Sequence, residues 1–124
     1  MANFKELKQR IVSKYQSLST NKEKLEFMYQ VQEKLRLYHN EKGKQFRDGD
    51  INESQWINFK AKWSDAEKIV AARVAELRDD VYKNDYNITD VQSDTPEVTK
   101  EMGDKRAELL KSTTYKADID TIWQ

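Results

Sequence analysis

Apolar residues near the start of the chain, Phe4, Leu7, Ile11, Tyr15 and Leu18, recur every three or four positions. That spacing predicts a first helix over about 4–18 with one docked face and one wet face, Val12 alone lying on the far side. Asn3 with Glu6 and Thr20 with Glu23 each have capping-box spacing, so one helix starts after Asn3 and a second restarts directly after a turn at Leu18–Thr20. The second helix is predicted to run to about Arg47. Its stripe of Leu25, Met28, Val31, Leu35, Tyr38, His39 and Phe46, edged by Phe27, covers about 140° of the helical wheel and is broad enough for two neighbours.

Between residues 46 and 56 the pattern is interrupted by a turn. Asp48-Gly49 is a stop, because glycine accepts φ > 0 past a helix end without a steric penalty. Asn52 with Gln55 then caps a third helix, and Ile51 and Trp56 have the spacing of a hydrophobic staple. From about Asn52 to Lys83 the residues Trp56, Phe59, Trp63, Ala66, Val70, Val74, Leu77 and Val81 follow a near-regular a/d repeat. Such a helix is on the order of 48 Å long. The two long helices are expected to form an antiparallel hairpin that pairs Gly43 with Trp56, Leu35 with Trp63 and Met28 with Val70. The short first helix covers the end remote from the turn and leaves the Trp56 end thinly covered.

Past Lys83 the helical period fades. Residues 84–95 are rich in turn formers and read as a linker; Thr95-Pro96 restarts a short, weak helix over 96–111, with Gly103 in its middle. In residues 112–124, Tyr115, Ala117, Ile119 and Trp123 fall on alternate positions and read as an extended arm. The expected organisation is therefore all-α: a hairpin body over 1–83, the linker, the short helix, and a C-terminal arm that orders only on a partner.

Composition agrees with a helical chain. One proline and three glycines in 124 residues leave few breakers, and 35% of residues are charged. No cysteine is present, which excludes disulfides and thiol chemistry. No apolar run approaches the roughly 20 residues of a membrane span, so no membrane partner and a cytoplasmic setting are expected. Net charge is zero but unevenly placed: residues 1–47 hold 11 Lys/Arg against 5 Asp/Glu, and residues 48–124 hold 11 against 17, giving +6 and −6. Attraction between the two arms of the hairpin is one expected consequence. A basic contact surface is the other.

Candidate chemistry is sparse. Asp48-Gly49-Asp50-Ile51 matches the middle of a calcium loop, but Lys44 and Phe46 fall on its first and third ligand positions and Gln55 replaces the bidentate Glu. His39 is the only histidine, which removes paired-imidazole sites, and Ser54 and Ser64 have no base at a recognisable spacing. There is no phosphate-binding glycine loop. No catalytic, metal or cofactor site is predicted. The more informative residues are apolar ones off the core stripes, Tyr29, Leu37, Ile57 and Ile69. With Tyr115, Ile119, Ile122 and Trp123 of the arm, Leu37 and Ile57 are the expected partner-binding set.

A short first helix, a long hairpin whose turn runs Arg47-Asp48-Gly49-Asp50-Ile51 into Trp56, and an irregular C-terminal arm resemble the small helical structural proteins of tailed phages. That resemblance implies a head-to-tail connector or adaptor: a homo-oligomeric ring, a virion component, with its arms on neighbouring subunits and on a portal or tail component. The alternative is a nucleic-acid-binding protein similar to phage small terminase subunits, with Lys5, Lys8, Arg10, Lys14, Lys22 and Lys24 as the contact surface. A pI near 6.6 and a second helix too long and apolar to read a groove weigh against it.

Overall fold

A computed structural model describes residues 2–124 of the chain and contains five helices: α1 (Phe4–Ser17), α2 (Asn21–Arg47), α3 (Glu53–Asn84), α4 (Pro96–Lys111) and α5 (Lys116–Trp123). The architecture is all-α, as the periodicity predicts. The start signals of the first three helices operate as read: Asn3, Thr20 and Asn52 each accept the backbone N–H of the residue three positions on. At Asn52 the Gln55 side chain also returns a bond to the cap N–H at 2.8 Å, completing the box. Thr95 makes no side-chain cap bond, so α4 starts on Pro96 alone, whose ring presets φ.

α2 and α3 form the hairpin. Gly49 takes φ +82, the left-handed conformation that the stop requires. Two of the predicted pairings are directly visible. Trp63 Nε1 donates to the Leu35 carbonyl at 2.8 Å, and a Cβ placed on Gly43 would lie 3.4 Å from the Trp56 ring, an ordinary van der Waals contact that sets the two residues side by side. Trp56 itself stacks on Phe46 and Phe59, with centroids 5.8 and 5.9 Å away and planes within 13°. α1 reaches further towards the turn than its length suggests. Phe4 packs on Tyr38 and Phe59 at 5.7 and 5.6 Å, which leaves Trp56 half-buried and only the last turns of the hairpin uncovered.

The largest departure from expectation is the C-terminal segment. Residues 116–123 are helical, and Tyr115, Ile119, Ile122 and Trp123 are buried in the same core as Leu7, Ile11, Phe27, Val31 and Leu35. The extended arm is thus a fifth helix seated against α1 and α2. Its anchors at 115, 119, 122 and 123 stand at i, i+4, i+7 and i+8, a helical face that the alternate-position reading obscured. Bonds to the last carbonyls of α5 close the arrangement: Ala2 N–H donates to the Trp123 carbonyl at 3.4 Å, and the Arg10 side chain donates through Nη1 to the Ile122 carbonyl at 3.0 Å. Residues 112–124 therefore belong to the body.

A second core lies at the far end, where α4 covers α2 and α3. It contains Leu25, Tyr29, Leu77, Val81, Tyr82, Ile88 and Leu109. Tyr29, expected on a wet face, is 2% exposed, and its hydroxyl lies 2.7 Å from that of Tyr82. Gln30, beside it, donates to the Leu109 carbonyl at 3.0 Å and so satisfies a buried amide. Residues 85–95 are irregular but not a free tether: Ile88 is buried and its N–H donates to the Tyr82 carbonyl at 2.9 Å. No helix among the described residues is long and apolar enough to cross a membrane.

Candidate assembly surface

Once the two cores are filled, two large hydrophobic residues remain exposed among the described residues: Leu37 at 51% and Ile57 at 54%. Both belong to the predicted partner-binding set. The other four members, Tyr115, Ile119, Ile122 and Trp123, are core residues, because α5 folds onto the body instead of leaving it. Tyr115 sets its ring edge-on to Phe27 at 5.6 Å, and burial pushes its hydroxyl pKa up.

Leu37 stands over a groove of ≈ 310 Å³ between α2 and the α4–α5 junction. Gln30, Glu33 and Lys34 form one wall, Leu110 to Thr113 the other, and Lys116, Ile119 and Asp120 close the end. A second hollow of ≈ 180 Å³ continues along α2 past Tyr38 to Gln45, sharing Lys34 and Leu37 with the first and touching Trp123. The sequence reading identified Leu37 but not the wall opposite it. Leu110 and Lys111 meet α2 where α4 returns over it, and Lys116 only through the turn that follows, so no local pattern places them there.

The charges around this groove divide into held and free ones. Glu33 is hydrogen-bonded by Arg36, which holds its carboxyl below the usual range, and Lys34 pairs with Asp120 at 3.8 Å. Lys111 and Lys116 have no ion-pair partner among the described residues. The mouth of the groove is therefore basic.

Ile57 occupies a different place. It lies about one turn into α3, in a shallow hollow with Glu53, Ser54, Asn58 and Ala61. Glu53 is the charged member of that set and is unpaired among the described residues, as is Asp50 in the preceding turn. Lys60, the nearest cation on α3, is held over the Trp56 ring at 5.2 Å.

The six cations of the nucleic-acid alternative are not gathered on one open face. Arg10 binds Glu6 at 3.1 Å and the Ile122 carbonyl, and Lys14 pairs with Asp118 at 3.4 Å and lies over Tyr115. Lys22 and Lys24 sit over Tyr86 and Tyr15, each at 5.2 Å. Only Lys5 and Lys8 flank an open groove, whose floor is Val12 and Ile69. Among the described residues the ion pairs between different helices, Lys14–Asp118 and Lys34–Asp120, both join the basic half of the chain to α5. The charge split thus serves the α5 contact, where attraction between the arms of the hairpin was expected.

His39 is enclosed by Trp56, Phe59 and Trp63, with centroids at 5.2, 6.2 and 4.7 Å. It is a packing member of the hairpin seam, as the stripe predicts. No group of three His, Cys, Asp or Glu side chains able to hold a metal ion occurs among the described residues. No family model, no curated protein and no solved structure matches the chain.

Proposed function

We propose that this protein is a non-enzymatic assembly protein, a rigid helical body that self-associates and docks to other structural components. The observation that carries this reading is the exposure of Leu37 and Ile57 on helices whose remaining large apolar residues are buried or half-buried. An exposed aliphatic side chain on its own is ordinary. Leu37, however, sits over a groove with an apolar floor and a basic mouth, the arrangement of a docking site rather than of a solvated face. The more specific reading, a connector or adaptor subunit of a tailed-phage virion contacting a portal or tail component, rests on the resemblance in layout. The nucleic-acid alternative loses support, because four of its six cations are engaged within the fold.

Native mass spectrometry and light scattering over a dilution series test the proposal. An assembly subunit gives masses above the 14.7 kDa of one chain, falling towards it on dilution. A monomer at every concentration, with no partner retained from its native assembly, would overturn it.

A further inference from the structure

We infer that the open end of the three-helix groove, between the Phe4 ring and the hairpin turn, binds a small aromatic anion, a ring carrying a carboxylate or a phosphate. This site is separate from the Leu37 groove and does not depend on the assembly reading. α1 fills the furrow between α2 and α3 only from Phe4 onwards, so the stretch from Phe4 to the turn has no third helix over it. What is left there is a hollow of ≈ 250 Å³ to which α1, α2, the turn and α3 all contribute.

Lys42 is the residue that selects an anion. It follows Tyr38 by four positions and His39 by three, so it stands on the apolar stripe of α2, and it is half-buried. Neither Lys42 nor Lys62, on the α3 side of the hollow, has an ion-pair partner among the described residues. An ammonium group on a core-facing stripe calls for a counter-charge. No carboxylate lines the hollow: Glu41 lines the neighbouring one beyond Tyr38, and Asp48, Asp50 and Glu53 around the turn lie outside the lining. The remaining polar groups can all donate. Gln55 uses only its side-chain oxygen in the Asn52 cap, Asn58 makes no side-chain hydrogen bond among the described residues, and burial, followed by the charge of Glu41, pushes the Tyr38 hydroxyl pKa up and keeps it protonated.

The walls select the ring. Phe4, Tyr38 and Phe59 pack on one another with centroids 4.9 to 5.7 Å apart and all border the hollow, with Ile51 on the turn side. Inorganic phosphate leaves these apolar walls wet, and a neutral ring leaves both ammonium groups unmatched. An aromatic anion meets both demands. The walls also exist before the ligand arrives: the capping box fixes Gln55, mutual packing fixes the rings, and Ile51 N–H donates to the Gln45 carbonyl at 3.4 Å. Little ordering is therefore required on binding.

The test titrates the full chain with benzoate and with phenyl phosphate, against benzamide and inorganic phosphate, and follows the Gln55 and Asn58 side-chain amides by proton–nitrogen correlation NMR. The expected result is a saturable shift of both amides with the aromatic anions, at a dissociation constant below about 1 mM, and binding at least about tenfold weaker for the two controls. Whichever of benzoate and phenyl phosphate binds more tightly identifies the anionic group. Lys42→Met, which keeps the length of the stem, and Lys62→Gln should each weaken binding about tenfold, whereas Lys8→Gln, outside the hollow, should not. Lys62 is exposed, so Lys62→Gln decides the matter if Lys42→Met disturbs the fold. The inference is overturned if neither aromatic anion gives a saturable shift, or if benzamide or inorganic phosphate binds as tightly as they do. It is equally overturned if the lysine variants bind like the wild type, which would make Lys42 a stem covering apolar surface and nothing more.

Discussion

Arg10 on α1 donates through Nη1 to the carbonyl of Ile122 on α5 at 3.0 Å, joining residues 112 positions apart in sequence. A guanidinium bound to one of the last carbonyls of a helix satisfies an acceptor that has no intrahelical partner and meets the negative end of the helix dipole. Glu6 steadies the same guanidinium at 3.1 Å, so the contact is held from both sides. Together with Ala2 N–H on the Trp123 carbonyl, it makes the end of the chain a structural element of the body.

It follows that removing residues 113–124 will unfold or strongly destabilise the protein. Deletion strips Tyr115, Ile119, Ile122 and Trp123 from the core and exposes Leu7, Ile11 and Phe27. Trp123→Ala alone should cost about 3 to 5 kcal/mol, within the range for large-to-small changes at buried aromatics. Chemical denaturation followed by far-ultraviolet circular dichroism reads both effects. An unchanged midpoint in the deletion variant would show that α5 is dispensable.

Two tryptophans should respond differently to phenylalanine. Trp63 Nε1 donates to the Leu35 carbonyl, so Trp63→Phe loses a hydrogen bond worth about 0.5 to 1.5 kcal/mol in addition to packing. Trp123 Nε1 is buried without an acceptor among the described residues, so Trp123→Phe removes a donor that costs about 1 to 3 kcal/mol to leave unmade. Trp123→Phe should therefore be the milder of the two. Denaturation midpoints in the reverse order would refute this assignment of the two indole N–H groups.

Alkaline pH should act through the Tyr29–Tyr82 pair. Burial raises the pKa of both hydroxyls above the ordinary value of 10.0, and the shared hydrogen bond raises that of Tyr82 further. The unfolded chain releases these protons first as pH rises. Stability from the pair is accordingly complete below about pH 10 and is lost above it. Tyr82→Phe leaves the Tyr29 hydroxyl buried and short of a partner, at about 1 to 3 kcal/mol near neutrality, whereas the double change to phenylalanine should cost less. Thermal midpoints at pH 7 and pH 11 for the three proteins measure this.

Glycine positions should separate by conformation. Gly103 lies in the middle of α4 with no atom within 4 Å of a prospective Cβ, so Gly103→Ala should stabilise by roughly 0.5 to 1 kcal/mol. Gly49→Ala should destabilise by about 1 kcal/mol or more, because φ +82 is strained for any residue with a Cβ. A matched pair of thermal melts compares them.

Local rules determined most of the helical body from the sequence alone. Caps at Asn3, Thr20 and Asn52, the left-handed stop at Gly49 and the long stripes on α2 and α3 involve residues within a few positions of one another. Their physics is complete in the local chain. The pairing of Leu35 with Trp63 was also legible, since an antiparallel hairpin with a short turn has one register. What only the tertiary structure decided is how α4 and the C-terminal segment return over the hairpin. α5 is eight residues long, too short to be stable as an isolated helix, and it exists because α1 and α2 present a groove and the cations Arg10, Lys14 and Lys34 to receive it. Tyr29 left its expected wet face for the same reason: α4 returns over α2 and turns that face into core. The groove at Leu37 arises from these two returns. Its walls are separated by some eighty positions in sequence, from Gln30 to Leu110 and beyond, so no local pattern could announce it.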